Sequence, residues 1–194
     1  MIKPIFWRVI ALASAFILAG CSHSQNTQDG RPQAWLEPGT RVTLPAPGIS
    51  PAVSSQQLLT GSFNGNKQSL VVILNADDKQ ITLAGLSSVG IRLFLATYDA
   101  QGIHTEQSIV VPQLPPASQV LVDIMLSHWP INDWKPLLPK GWTLTDIDDK
   151  RELRNASGKL ITEITYLNRK GKREPVSIEQ HAFKYHLTIQ YLDN

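Results

Sequence analysis

The sequence predicts an α+β protein: a curved antiparallel β-sheet, an open or half barrel, with one or two helices on its concave side. Three observations carry that prediction. From residue 55 onward, short apolar or alternating runs recur between turns rich in Gly, Asn, Asp and Ser. Near the middle, a single segment repeats its apolar residues at helical spacing. The chain has 194 residues, 42% hydrophobic and 18% charged, enough for one domain with a sizeable core.

The first twenty residues read as an address. Met1 to Arg8 supplies a short positive start, and Val9 to Ala19 is apolar except for Ser14. This is the layout of a secretory leader, and it is shorter than the roughly 20 apolar residues that cross a bilayer. It ends Leu18-Ala19-Gly20-Cys21, which resembles the lipobox of bacterial lipoproteins. That resemblance implies a signal peptide over 1–20 and thioether lipidation at Cys21, with the new amino terminus acylated as well. Several acyl chains would anchor the protein far more firmly than one. Ser22 after the cysteine resembles the outer-membrane sorting pattern, so the expected place is the periplasmic face of the outer membrane.

Residues 21–33 then form a lipidated cysteine and a flexible tether without large apolar residues. A single β-rich domain is expected over 34–194. Ala34 to Pro51 is proline-rich and predicts an extended edge or wrapping segment pinned by Trp35 and Leu36, with a brief strand at Arg41 to Leu44. Gln57 to Phe63 leads into Asn64-Gly65-Asn66, a hairpin signal. Ser69 to Leu74 and Ile91 to Tyr98 are apolar at successive positions, so both faces of each are expected to be covered. Gln80 to Leu86 runs between them, and Ile103 to Val111 completes a five-strand meander. A second block follows the helical segment: Trp142 to Ile147, Lys150 to Asn155, Leu160 to Asn168 and two strands over Val176 to Leu192. So many strands exceed what a flat open sheet usually carries without curling.

The helical segment runs from about Ala117 to Trp129, after Pro112, Pro115 and Pro116. Val120, Leu121, Ile124 and Met125 form one stripe, while Val122 and Leu126 lie off it, leaving Gln119, Asp123 and Ser127 as the polar remainder. A second short helix is expected over Ile131 to Leu138. Such a helix is either the core filler of the domain or a lid over an apolar cavity. On the second reading the lining residues are Leu70, Val72, Leu93, Leu95, Leu121, Ile124 and Met125. A register slip of one residue would exchange each inward position for its neighbour.

Other chemistries are poorly supported. Lys and Arg number 18 against 16 Asp and Glu, and Lys3 and Arg8 fall in the leader, leaving a neutral body without the basic stripe that nucleic acid demands. One cysteine rules out an internal disulfide or a Cys-rich metal site. Gly85-Leu86-Ser87-Ser88-Val89-Gly90 is better read as a hairpin turn than as a nucleophile elbow, because a strand follows where a helix is required. His181 and His186 would sit on opposite faces of one strand. His128 would place its charge at the helix C-terminus. No metal, cofactor or catalytic residue is expected.

Leu83 to Phe94, Asp123 to Pro130, Glu179-Gln180-His181 and Tyr185 to Ile189 together resemble a proteobacterial lipoprotein family of unknown function. Its members are often encoded beside aryl-polyene pigment biosynthesis genes. The resemblance covers roughly residues 34 to 192. The layout also resembles the periplasmic lipoprotein carrier and receptor of the LolA/LolB type, open barrels whose helices plug a hydrophobic cup. That resemblance implies a non-enzymatic, membrane-anchored protein that binds or delivers a lipid-like cargo: a lipid, a lipoprotein or an aryl-polyene lipid. The alternatives are a scaffold for periplasmic protein partners and, less favoured, a lipid hydrolase.

Overall fold

The structure is a computed structural model and describes residues 30–63, 66–107 and 115–192. In chain order the elements are β1 (Gln33–Glu37), β2 (Thr40–Thr43), β3 (Val53–Phe63), β4 (Asn66–Ala76), β5 (Ile81–Leu86), β6 (Arg92–Asp99) and β7 (Gly102–Gln107). They continue with α1 (Ala117–His128), α2 (Ile131–Trp134), β8 (Thr143–Ile147), β9 (Lys150–Arg154), β10 (Leu160–Arg169), β11 (Lys172–Gln180) and β12 (Tyr185–Tyr191). Strands β3 to β12 build one open antiparallel sheet of ten strands, ordered β7-β6-β5-β4-β3-β12-β11-β10-β9-β8. The fold class is thus α+β, with two meanders joined where β12 returns to pair with β3.

The sheet curls, because side chains from distant strands converge on one central layer. Tyr98 of β6 donates a hydrogen bond to the carbonyl of Pro45 at 2.9 Å, and Trp129, just after α1, donates to that of Ala46 at 3.0 Å. From the other half, Tyr166 of β10 donates to the Ser127 carbonyl at 2.9 Å. Helix α1 packs against β1, β7 and β11. Helix α1, which lies between β7 and β8 in the sequence, therefore contributes to the interior. Period-2 alternation selects the inner face: Val72, Leu74 and Ala76 of β4 lie beside Leu83 and Ile81 of β5, then Ala96 and Tyr98 of β6, all buried. Phe94 lies flat over Gly85, where a Cβ would sit 2.1 Å from its ring. A glycine is required there by close approach.

Several expectations are refined. Gln33 belongs to β1, and the Leu44 amide donates to the Pro32 carbonyl at 2.9 Å, so residues 32 and 33, expected in the tether, are part of the folded body. The proline-rich segment contains a separate two-stranded hairpin, β1–β2, rather than one extended edge. It buries Ala34, Leu36, Val42 and Leu44, whereas Trp35 faces outward under the Arg41 guanidinium, 4.0 Å from the ring centre. The second helix stops at Trp134, and residues 135–138 continue as turns. The strands apolar on both faces are covered on one only: Val71, Ile73 and Leu95 stay partly exposed on the outer face. The Asn64-Gly65 turn and residues 108–111 of the expected fifth strand lie outside the described residues.

Candidate functional site

Across the middle of the inner face the packing loosens. Leu59 of β3 pairs directly with Leu70 of β4 and with Ile189 of β12, and Leu187 of β12 pairs with Gly61 of β3. Ile189 is buried, but Leu59, Leu70 and Leu187 are only half-buried. Gly61 supplies no side chain between them. A Cβ there would meet Leu187 at 3.4 Å, so the Leu187 side chain lies against the glycine. Tyr185 lies on the same face of β12, two residues and about 7 Å from Leu187.

Helix α1 sets a polar pair beside this patch. The Tyr185 hydroxyl donates to Oδ2 of Asp123 at 2.5 Å, a length typical of a bond to an ionised carboxylate. Asp123 is only 6% exposed, and its Oδ1 is shielded from solvent with no partner. Burial pushes its carboxyl up to about 7, which the Tyr185 bond only partly opposes. The Tyr185 hydroxyl is in turn pushed far above its ordinary value by burial and by the adjoining carboxyl. On α1, Val120 and Ile124, four residues apart, are half-buried on a common face.

The two ends of α1 are held unequally. At the C-terminal end the Arg151 guanidinium donates to the carbonyls of Leu126 and Trp129, both at 2.8 Å, while gripping Asp146 at 2.9 and 3.0 Å. Trp134 donates to the Met125 carbonyl at 3.2 Å, and Tyr166 and Trp129 add the bonds given above. The N-terminal half has Pro116 as its cap residue, with no capping side chain. Its side-chain ties include Gln119, which donates to the Trp35 carbonyl at 3.2 Å and also meets the Tyr185 hydroxyl, and the Asp123–Tyr185 bond.

The seven predicted lining residues divide. Leu70 is half-buried in the leucine patch, and Ile124 is half-buried on α1, packed against the core. Val72, Leu121 and Met125 are fully packed in the core, at 2%, 0% and 0% exposure. Leu93 is the extra residue of a bulge between Arg92 and Phe94 and packs against the core. Leu95 pairs with Ala84 on the outer face, since strict alternation places it opposite Ala96. Cys21 lies outside the described residues.

Among the described residues no group of three or more His, Cys, Asp or Glu is placed to hold a metal. Ser87 closes a tight turn, its Oγ accepting from the Ile91 amide at 3.1 Å. His181 and His186 do not share a strand: His181 follows β11, and His186 lies in β12 with Nδ1 2.6 Å from Glu179. His128 does not act as the C-terminal cation. Burial and the neighbouring Arg151 push it down to about 4, so it is neutral, and Arg151 itself meets the helix carbonyls. Tyr185 and the inward turn of Asp123 escaped sequence reasoning; the available signal was one carboxylate in an otherwise apolar helix.

The architecture is an open ten-stranded antiparallel sheet with α1 against it, tied to β12 through Asp123 and Tyr185. Residues 54–193 match DUF3261, described as a protein of unknown function, and the chain belongs to that family. No curated protein matches the chain. No described helix is long and apolar enough to cross a membrane.

Proposed function

We propose that this protein is a non-catalytic outer-membrane lipoprotein, anchored through acyl chains on Cys21, that binds or delivers an amphipathic acyl-containing molecule. The observation that carries the reading is the half-buried surface of Leu59, Leu70 and Leu187 on the inner face, two residues along β12 from Tyr185, which is bonded to α1. A solvent-shielded interior normally packs shut. Here three leucines on the inner face of a curled sheet keep exposed area that a guest would cover, at about 25 cal/mol per Å². The unequal fastening of α1 fits the lid alternative, with the C-terminal end as pivot. The layout is similar to LolA/LolB-type carriers, and by that analogy the guest would be an acyl chain.

The chain from Ser22 onward, which keeps every described element, should bind a fluorescent fatty acid displaceably. Ile124→Glu and Leu187→Glu should each weaken binding at least tenfold, with the thermal midpoint held within a few degrees. Leu121→Glu is unsuitable, because it would bury a charge at a position with no exposure. Absence of displaceable binding in the unmodified chain would reject the proposal. A scaffold role is favoured by one observation, the half-exposed outer face of Val71, Ile73 and Leu95. If that role holds, Ile73→Lys would release a protein partner while Leu187→Glu would not.

A further inference from the structure

Asp123 is the one charged side chain on α1 between Ala117 and Ser127, and the fold turns it inward rather than to solvent. Its two oxygens have different situations. Oδ2 takes the Tyr185 hydroxyl, whereas Oδ1 is wholly shielded and receives no hydrogen bond. A buried acceptor left open costs free energy that a partner would recover, and a carboxylate does so most fully with a cation. Among the described residues no basic side chain offsets the burial of this carboxyl, and its neighbour Tyr185 is a neutral donor. What the site lacks is a positive charge with hydrogens to give. Beside it stand the leucine patch, reached from Tyr185 along β12, and the apolar face of Val120 and Ile124.

We propose that Oδ1 of Asp123 is the seat for the ammonium headgroup of an amphiphile whose chain lies along Leu187, Leu59 and Leu70. This rests on the apolar-cup reading and names the headgroup class within it. The ammonium donates to Oδ1, Tyr185 keeps Oδ2 in place, and the hydrocarbon covers the half-buried leucines. Because Oδ1 is closed off in the ligand-free fold, entry requires the N-terminal half of α1 to move. That half is held by Gln119 and by the Asp123–Tyr185 bond itself, so the headgroup and the latch share one carboxylate.

Competition against a fluorescent dodecyl probe, using the chain from Ser22 onward, tests this with dodecylamine, dodecanol and dodecanoate. The unmodified protein should bind dodecylamine at least tenfold tighter than either other ligand at pH 8. Asp123→Asn should erase that preference and leave dodecanol within about twofold, while Tyr185→Phe should retain it. If Asp123→Asn fails to fold, the pH series on the unmodified protein decides: the amine preference should fade between pH 7 and 5 as the carboxyl gains its proton. A preference that survives Asp123→Asn or is constant with pH, or equal binding of all three ligands, would overturn the headgroup assignment alone. Failure of all three ligands to bind would overturn the apolar cup with it.

Discussion

Two buried groups on α1, Asp123 and His128, pull stability in opposite directions with pH. Asp123 is raised from 3.8 to about 7, so its burial is free of cost below about 4 and becomes progressively unfavourable as pH rises to 7. The full difference is on the order of 4 kcal/mol. His128 is lowered from 6.5 to about 4, so its contribution is intact above 6.5 and is lost as pH falls toward 4. Part of that ring remains exposed, and the loss is accordingly about 2 kcal/mol. Between pH 4 and 7 the two oppose each other and His128 offsets about half of the Asp123 effect, which predicts a net loss of about 2 kcal/mol for the unmodified protein as pH rises through that range. Asp123→Asn should be more stable than the unmodified protein at pH 8 by a few kcal/mol, and should lose stability as pH falls below 6.5. His128→Gln should do the reverse, gaining stability from pH 7 down to 4. Thermal midpoints measured from pH 4 to 8 check both slopes, and parallel profiles for all three proteins would refute the assignment.

At the scale of elements, Arg151 decides how α1 is fastened. It is a strand residue on the inner face of β9, opposite Ile164 and Asp146, yet its guanidinium reaches the helix end. Burial alone would raise the Asp146 carboxyl, but Arg151 and Arg173 outweigh it and hold the carboxyl below its ordinary value. Arg151→Met would leave the Leu126 and Trp129 carbonyls without that donor and Asp146 without its bidentate partner, at a cost of about 3 kcal/mol. The sheet should persist in far-ultraviolet dichroism, while hydrogen exchange over Met125 to Trp129 rises. Unchanged exchange there would show that the neighbouring tryptophans suffice. No sequence pattern announces this contact, because it joins residues more than twenty positions apart. The strands themselves were legible: alternation and turn residues located β3 to β6 and β8 to β12 to within a few positions. Even the two-residue turn at Lys170-Gly171, both with positive φ, is set by its chemistry. The side-chain facing was less legible. The bulge at Leu93 shifts the register of β6 against β5, so the residue that touches the core and the one that leaves it, Leu95, look equivalent in sequence. The leucine patch was visible only in part: Leu70 was named from an apolar run. Leu59 and Leu187 become neighbours only when β12 returns across the whole chain to β3.

That return also governs the whole molecule. Strands β3 to β7 form one meander and β8 to β12 another, and the sheet holds them together through the β3–β12 ladder alone. Two such halves would unfold separately if the ladder were their whole connection. The central layer argues otherwise, since Trp129 binds the Ala46 carbonyl while Tyr166 and Arg151 bind the end of the same helix. A single cooperative transition is therefore expected on heating. Ile189 sits in the ladder opposite Leu59 and is buried, so Ile189→Ala should cost about 3 kcal/mol. For a domain of this size that is a fall of roughly 6–12 °C in the midpoint. If the interior layer couples the halves, the whole transition moves down together, and calorimetric and van't Hoff enthalpies remain equal. If the ladder alone couples them, the same substitution splits the transition in two, the meanders melt independently, and α1 is no shared core.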